Sequence, residues 1–381
     1  MKLRFRMEPG PRIVTQWGEM FGPLSHIYVK EILKTAVLLM ATVVAADCSG
    51  LAGTNPQWGV NGHPFSQSGY FDVPLEAQIA LVAESGATWY RVDVSSENFA
   101  ASTARLDELL EIAARRGIGL LPVLISSSGA RSPTGTPEQI RASAFSFARA
   151  IVGRYKGRIT HWELSNELDD YALIRKGDTT RKGILWQWGE PDGSSPDDFE
   201  EGRYQRAKAE ILGLGDGMKA ADPASVAIVD TAGWLHYGFI ERLLAQDHVA
   251  FDVLAWHWYS EMGDISLVEG RLDLVAYLGR YDKPLWLTEV SRRGGSAGGK
   301  DAELADFMTR DLARMASNPG IGAVFVYELL DEPYFGENGE SHYGLANLGR
   351  DAGGKWSVSS RKPAFGALAG VIRAAGSAPS K

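Results

Sequence analysis

Polar side chains follow directly after two apolar segments of this sequence. Residues 158–165, RITHWELS, lead into Asn166 and Glu167, and residues 283–290, KPLWLTEV, carry Glu289 next to their end. An ionised carboxylate is costly to bury without a partner. Two carboxyl groups that flank a substrate can cleave a glycosidic bond, because one donates a proton while the other attacks or activates water. The sequence therefore offers a candidate carboxylate pair.

The same glutamates could instead be structural residues. Either one alone would be explained by an ion pair with Arg91 or Lys283. A catalytic reading requires that Glu167 and Glu289 meet across one cavity, which depends on the elements that carry them.

Those elements follow a regular alternation. Eight β-branched or aromatic runs alternate with segments of helical period. The runs are residues 57–61, 88–94, 118–125, 158–165, 225–231, 251–259, 283–290 and 322–329. Near-continuous apolar strands indicate a parallel sheet, and eight units predict a single α/β (β/α)8 TIM barrel over residues 56–376. The rival is a doubly wound sheet, but no G-x-G-x-x-G or G-x-x-x-x-G-K-[ST] motif follows any run.

Helices are predicted between the strands. Thr136, Pro137 and Gln139 form a capping-box pattern that marks one helix start. The predicted helices cover residues 75–85, 102–117, 136–155, 202–221, 237–246, 268–280, 301–316 and 361–374. Residues 169–200 form an insertion after strand four, and its Trp186 and Trp188 could bind sugar rings or simply pack.

In such a barrel the reactive groups lie at the carboxyl ends of the strands. Polar residues collect there in this sequence: Asn61, His63, Arg91, Asp93, Asn166, Glu167, His257, Tyr259, Glu289, Tyr327 and Glu328. Strands four and seven lie on opposite sides of a barrel mouth, so Glu167 and Glu289 can face each other. A separation of about 5–5.5 Å would predict a retaining mechanism.

Three segments resemble a known group of enzymes. WELSNE resembles the W-E-x-x-N-E motif at strand four of clan A retaining glycoside hydrolases, and LWLTEV is similar to the segment that carries their nucleophile. FDVLAWHWY resembles the D-x-x-x-x-H-x-Y segment of members close to glycoside hydrolase family 39. The resemblance spans residues 57 to about 374.

The resemblance implies roles for individual residues. Glu167 would be the general acid/base and Glu289 the nucleophile, while Asn166 would bind the sugar 2-hydroxyl. Tyr259 would orient Glu289, and Arg91 would lie beside Glu289 and favour its charged form.

Further residues are implied at the edge of this site. His257 would lie between the two glutamates, with Glu163 as a deeper partner for Arg91 or for His257. Tyr327 stands where relatives usually present a tryptophan, which leaves the sugar open. His63 is a substrate contact or part of a turn in NGHP.

Composition narrows the function classes. The chain has 381 residues, a net charge of −8 and one cysteine, Cys48. No basic cluster indicates a nucleic-acid partner, and no apolar run reaches the roughly 20 residues of a membrane span. No cofactor or metal ligand motif is present, since H-x-H and H-E-x-x-H are both missing. The expected partner is an oligo- or polysaccharide, and the oligomeric state is not indicated.

The first residues are typical of an export signal. Lys30 and Lys34 precede an apolar segment that ends at Ala46, with a cleavage pattern before Asp47. We expect a signal peptide and leader over 1–46, a flexible linker over 47–55 and a secreted or periplasmic protein. A lipid anchor at Cys48 is the alternative. A non-catalytic carbohydrate-binding barrel and a metal-dependent barrel hydrolase are the competing functions.

Overall fold

Eight parallel strands close into a barrel in chain order, which confirms the predicted TIM-barrel fold. The computed structural model describes residues 55–65, 68–336 and 339–377. The barrel strands are β1 Gln57–Gly62, β2 Trp89–Ser95, β3 Gly119–Ile125, β4 His161–Leu164, β5 Val226–Val229, β6 Val253–Tyr259, β7 Leu285–Ser291 and β8 Ile321–Val326. Pairing of β1 with β8, from Gln57 opposite Ala323 to Val60 opposite Val326, closes the barrel.

Helices connect the strands. They are α1 Ser68–Asp72, α2 Leu75–Ser85, α3 Phe99–Arg115, α4 Pro137–Arg154, α5 Leu168–Ala172, α6 Glu201–Ala221, α7 Tyr237–Glu241, α8 Leu274–Leu278, α9 Asp301–Ala316 and α10 Pro363–Ser377. The predicted capping box is confirmed, because Gln139 N donates to the Thr136 side chain and the Gln139 side chain accepts from Thr136 N. This pair satisfies two amides that a helix start otherwise leaves without partners.

The helix predicted over 268–280 is wrong in its first half. A tight turn occupies this stretch, in which Glu269 and Gly270 have φ of 52° and 71°. The Asp273 side chain then accepts from Ala276 N at 3.0 Å and begins α8. The polar cap and the left-handed turn therefore override the helical spacing of the apolar residues.

A two-stranded antiparallel sheet beyond the barrel was not predicted. Strands β9 Ala346–Arg350 and β10 Trp356–Arg361 pair with each other after β8. Both are short and partly exposed, so they lack the apolar run that identified the barrel strands. They belong to the long connection between β8 and α10, which also carries Glu328 and Tyr343 to the barrel mouth.

The barrel interior beneath the mouth is apolar and tightly filled. Trp286 and Phe325 stack at 6.0 Å between ring centroids, and a Cβ on Gly59 would lie 2.1 Å from the Phe325 ring. Trp258 is fully buried, as expected for a packing residue on the other face of its strand. At the opposite end of the barrel from the mouth, the ring of His161 stacks on Trp286 at 5.3 Å.

The insertion after β4 is held by local contacts. Leu173 pairs with Phe199 across its base, and Arg175 donates to Glu190 at 2.9 Å. Within the described ranges, no helix is long and apolar enough to cross a membrane. The expected signal peptide over 1–46 and Cys48 lie outside the described residues.

Candidate active site

A buried arginine organises the barrel mouth. Arg91 of β2 donates through Nε and Nη2 to both oxygens of Glu163, at 2.8 and 3.0 Å. Its Nη1 donates to Glu289 Oε1 and to Asn61 Oδ1, both at 2.7 Å, and its Nη2 donates to Asn166 Oδ1 at 2.8 Å. Burial opposes the charge, but Glu163 and Glu289 hold the pKa of Arg91 well above its usual value. The predicted positions of Arg91, Asn166 and Glu163 are therefore brought together.

Glu289 is fixed from two sides. Tyr259 of β6 donates its hydroxyl to Glu289 Oε2 at 2.7 Å, while Arg91 holds the other oxygen. Burial and the charge of Glu289 raise the pKa of Tyr259, so the phenol stays protonated and remains a donor. The predicted orienting contact of Tyr259 is present.

Glu167 contacts His257 and reaches solvent. It stands at the entry to α5 in a left-handed conformation with φ of 48°, and 31% of its side chain is exposed. Glu167 Oε1 lies 2.7 Å from His257 Nδ1. Burial opposes its charge, but this hydrogen bond and the charges of His257 and Arg91 lower the pKa of Glu167.

His257 lies between the two glutamates, as the resemblance implied. Its Nδ1 is also 3.6 Å from Glu289 Oε2. Although burial opposes protonation, Glu289 and Glu167 raise the pKa of His257 to about 9. One oxygen of Glu167, one of Glu289 and a ring nitrogen of His257 all lie within 4.8 Å of one another. At neutral pH His257 is therefore protonated beside Glu167.

Two residues that position Glu167 were missed by the sequence analysis. Asp230, after β5, accepts from Glu167 N at 3.2 Å through both oxygens. Arg131 donates to the carbonyl oxygens of Asn166 and Glu167 at 2.6 and 2.7 Å. The strand-end rule that found the other residues would have found Asp230 in SVAIVDT, whereas Arg131 lies in a loop without such a signal.

Tyr327 and His63 form the wall beside Tyr259. The ring of Tyr327 packs edge-on against His63 at 5.8 Å, against Tyr259 at 6.4 Å and against Tyr343 at 5.3 Å. His63 also bonds Asp93 at 2.7 Å, so it has a defined contact beyond a turn role. Tyr343 comes from the unpredicted connection before β9, and no sequence pattern marked it.

The two insertion tryptophans lie together on the surface. Trp186 and Trp188 meet edge-on at 5.0 Å, and 62% of Trp188 is exposed. Trp186 donates to Gly189 O at 2.8 Å within the insertion. Their role in sugar binding stays a prediction.

Three groups of histidine and carboxylate side chains are close enough to share a cation. They are Glu167, His257 and Glu289; Glu163, Asp230 and His257; and His63, Glu328 and Glu332. In the first two groups the Arg91 guanidinium already binds Glu289 or Glu163, and its positive charge opposes a metal ion. Among the described residues, no arginine bonds to the carboxylates of the third group.

Known proteins match part of this chain and its barrel. Residues 203–345 match the family model described as "Glycosyl hydrolase catalytic core". No curated protein matches this chain. The matched segment includes β5 to β8, and with them His257, Tyr259 and Glu289.

Solved structures share the barrel. One is a family 39 glycoside hydrolase from the gut symbiont Bacteroides cellulosilyticus WH2, with a TM-score of 0.58 and 18% identity over 84% of this chain and 64% of that chain. Another is the exo-beta-1,4-mannosidase Op5Man5 from Opitutaceae bacterium strain TAV5, with a TM-score of 0.56 and 17% identity over 86% and 62%. A beta-glucosidase from Thermotoga maritima reaches 0.61 at 10% identity over 84% and 98%.

The chain thus covers less than two thirds of the first two neighbours and nearly all of the third. The predicted resemblance to clan A glycoside hydrolases, with family 39 among them, is confirmed. The fold and the match to the catalytic core support the predicted class, a glycoside hydrolase.

Proposed function

We propose that this chain is a secreted retaining glycoside hydrolase that cleaves a β-linked bond in an oligo- or polysaccharide. The observation that carries the proposal is that oxygens of Glu167 and Glu289 lie within 4.8 Å of each other. Retaining enzymes hold their carboxyl groups about 5–5.5 Å apart, whereas inverting enzymes need about 6.5–9.5 Å to admit a water. The spacing supports attack by one carboxylate on the anomeric carbon.

The contacts suggest which residue acts in each of the two half-reactions. Glu289, held by Arg91 at one oxygen and by Tyr259 at the other, attacks the anomeric carbon and forms a covalent glycosyl–enzyme. Glu167 donates a proton to the leaving oxygen, and His257, 2.7 Å away, can supply that proton. Glu167 then removes a proton from water, which attacks the same carbon and releases Glu289.

Asn166 is suited to hold the sugar. Its Oδ1 accepts from Arg91 at 2.8 Å, which fixes the amide and leaves Nδ2 as a donor. Because Asn166 shares Arg91 with Glu289 and precedes Glu167, this donor would bind the 2-hydroxyl, a contact that strengthens in the transition state.

The β-linkage rests on likeness to other proteins. Two of the structural neighbours are a beta-glucosidase and an exo-beta-1,4-mannosidase. An open, tryptophan-bearing insertion fits a substrate longer than one sugar.

Azide rescue tests the mechanism and separates the two roles. On dinitrophenyl β-glycosides, Glu289→Gly with azide should yield the α-glycosyl azide, and Glu167→Gly with azide the β-glycosyl azide. Proton NMR of the first product of the unaltered chain should show the β-anomer. The exposed carboxylate of Glu261 supplies a matched control, and Glu261→Gln should keep full turnover.

Three results would contradict the proposal. An inverted first anomer excludes a covalent intermediate, and loss of activity on chelation indicates a metal-dependent hydrolase. Sugar binding without turnover on any glycoside leaves a carbohydrate-binding barrel. Secretion is tested separately by mass spectrometry, with Asp47 expected at the mature N-terminus and a lipidated Cys48 as the contrary finding.

A further inference from the structure

Two side chains of helix α6 hold the loop that follows β3, residues 126–135, here called the β3 loop. Arg206 and Glu210 lie four residues apart and therefore on the same side of α6. Arg206 Nε donates to Ala130 O at 2.9 Å, and Ala130 N donates to Glu210 Oε2 at 2.6 Å. One helix thus holds both backbone groups of a single loop residue.

Arg206 binds further backbone carbonyls of the β3 loop. Its Nη1 donates to Gly135 O, and its Nη2 donates to Ser132 O and, at 3.3 Å, to Thr134 O. Hydrogen bonds from a charged donor are stronger than those between neutral groups. The guanidinium therefore fixes the path of the loop backbone.

The carboxylate of Glu210 is 3% exposed and joins two segments of the chain. Burial raises the pKa of Glu210, whereas hydrogen bonds from Ala130 N, from the Ser165 hydroxyl and from the backbone of Ser126 act against that rise. A Cβ on Gly129 would lie 2.4 Å from Glu210 Oε2, so glycine permits this close approach of the loop.

The two segments that this carboxylate contacts meet at the candidate acid/base. Arg131 follows Ala130 and donates to the carbonyl oxygens of Asn166 and Glu167 at 2.6 and 2.7 Å. Ser165, with φ of 71°, lies two residues before Glu167. Because Arg131 is exposed, its reach to those carbonyls depends on where the loop backbone places it.

Helix α6 is a rigid support for these contacts. It packs on α4 through small residues, since a Cβ on Gly213 would lie 2.4 Å from Arg141 O and one on Gly217 would lie 2.3 Å from Phe145 O. Backbones packed this closely leave little room for the helices to shift.

We propose that Arg206 and Glu210 are positioning residues for Glu167. They act through Arg131 and Ser165, and they hold the backbone that carries the acid/base in place. The inference rests on the proposed function, in which Glu167 protonates the leaving oxygen. A role in stability alone is the rival explanation.

Two leaving groups separate these roles in the full chain. Dinitrophenolate departs without a proton, whereas phenol depends on the general acid. On aryl β-glucosides or β-mannosides, we expect Glu210→Gln to lower kcat/KM about 10-fold or more with phenol and less than about 2-fold with 2,4-dinitrophenol as leaving group. Arg206→Gln should show the same pattern, and Arg206→Lys, which retains a donor, should recover part of the loss.

Lys208→Gln is the matched control on the same helix. It removes a hydrogen bond to Asp247 at 2.8 Å and should change kcat/KM for neither substrate. Circular dichroism checks that each variant folds, and the two Arg206 variants provide the comparison if Glu210→Gln does not.

Equal fractional losses on the two substrates in folded variants would overturn the positioning role, as would no loss on the phenyl glycoside. A different result marks failure of the proposed function: the unaltered chain would then cleave neither substrate, and the inference would fall with it.

Discussion

At the scale of single residues, Arg91 joins the groups that must act together. Its guanidinium binds Glu163 and Glu289 in charge-assisted hydrogen bonds and also holds the amides of Asn61 and Asn166. Lysine offers one positive point and cannot reproduce this planar fork.

We therefore expect Arg91→Lys to lower kcat at least 100-fold while the chain still folds. Glu289 and Asn166 lose their common support, although a positive charge remains in place. Steady-state kinetics and circular dichroism measure this. As a control, the exposed Arg141→Lys, which disrupts only a surface pair with Asp216, should leave kcat unchanged, and equal losses in the two variants would contradict the role of Arg91.

The proton held by His257 predicts a pH dependence. Its pKa is raised from 6.5 to about 9, so it is protonated at neutral pH and loses the proton as the pH rises through about 9. Glu167, whose own pKa is lowered, then has no proton for the leaving group. We expect kcat/KM to fall on the alkaline side with an apparent pKa near 9.

His257→Asn checks this assignment. The proton must then reside on Glu167 alone, so the alkaline limb should move to lower pH. If the apparent alkaline pKa of kcat/KM is the same in the variant, another group controls the alkaline decrease.

Most of the candidate site could be predicted from the sequence because its residues lie at the carboxyl ends of strands. Glu167, Glu289, Arg91, His257 and Tyr259 all follow from position, because parallel strands bring their carboxyl ends to one rim. Arg131 could not be found this way, since it acts on backbone carbonyls from a loop. Contacts such as that of Tyr70 with Glu328 depend on chain paths between elements, which no local pattern encodes.

At the scale of elements, the turn from β4 into α5 holds the candidate acid/base in an unfavourable backbone. Ser165 and Glu167 both have positive φ, at 71° and 48°. For residues other than glycine this conformation costs about 1 kcal/mol or more each, so surrounding contacts must maintain it. Arg131 supplies those contacts from the loop after β3, and Asp230 supplies them from the end of β5.

Arg131→Gln should therefore reduce kcat about 10-fold or more and leave KM nearly unchanged. Glu167 would keep its side chain but lose its orientation. Arg131→Lys retains one donor and should recover part of the loss. An increase in KM with normal kcat would instead make Arg131 a substrate contact.

The insertion offers a test of the predicted sugar subsite. We expect Trp188→Ala to raise KM about 5–150-fold for an oligosaccharide, as loss of about 1–3 kcal/mol of apolar contact would. An aryl monoglycoside should be unaffected because it does not extend that far. Trp234→Ala, which removes another exposed tryptophan outside the insertion, is the matched control. An equal KM in variant and unaltered chain would make the Trp186–Trp188 pair a packing contact only.

Helices and strands were predicted correctly where the spacing of apolar residues and the alternation of strand and helix along the chain indicate the same element. The barrel strands and α2, α4, α6 and α9 lie close to their predicted ranges. Prediction failed at residues 268–273, where a polar cap and a left-handed turn outweigh spacing, and at β9 and β10, which bury little surface. Such strands are specified by tertiary contacts with the barrel rim and leave little local signal.

At the scale of the whole molecule, barrel closure depends on the fit of β1 against β8. Gly59 lies opposite Phe325 in this pairing, and an added Cβ would come within 2.1 Å of the ring. We expect Gly59→Ala to lower the free energy of unfolding by about 1–3 kcal/mol through overpacking. Urea denaturation measures this loss.

Gly366→Ala is the contrasting control. Gly366 lies exposed in α10 with open space around it, so alanine should raise stability by about 0.5–1 kcal/mol. A Gly59→Ala chain as stable as the unaltered one would show that β1 and β8 can move apart at no cost.

The single guanidinium of β2 bonds to side chains delivered by the first, fourth and seventh strands. Two halves of this chain expressed separately would each hold an incomplete set of partners. Residues 55–200 would lack Glu289, the proposed nucleophile, and residues 201–377 would lack Arg91 and Glu167, the proposed acid/base. We therefore expect neither fragment to show turnover by itself. Turnover should return only when the two fragments reassociate and close the barrel.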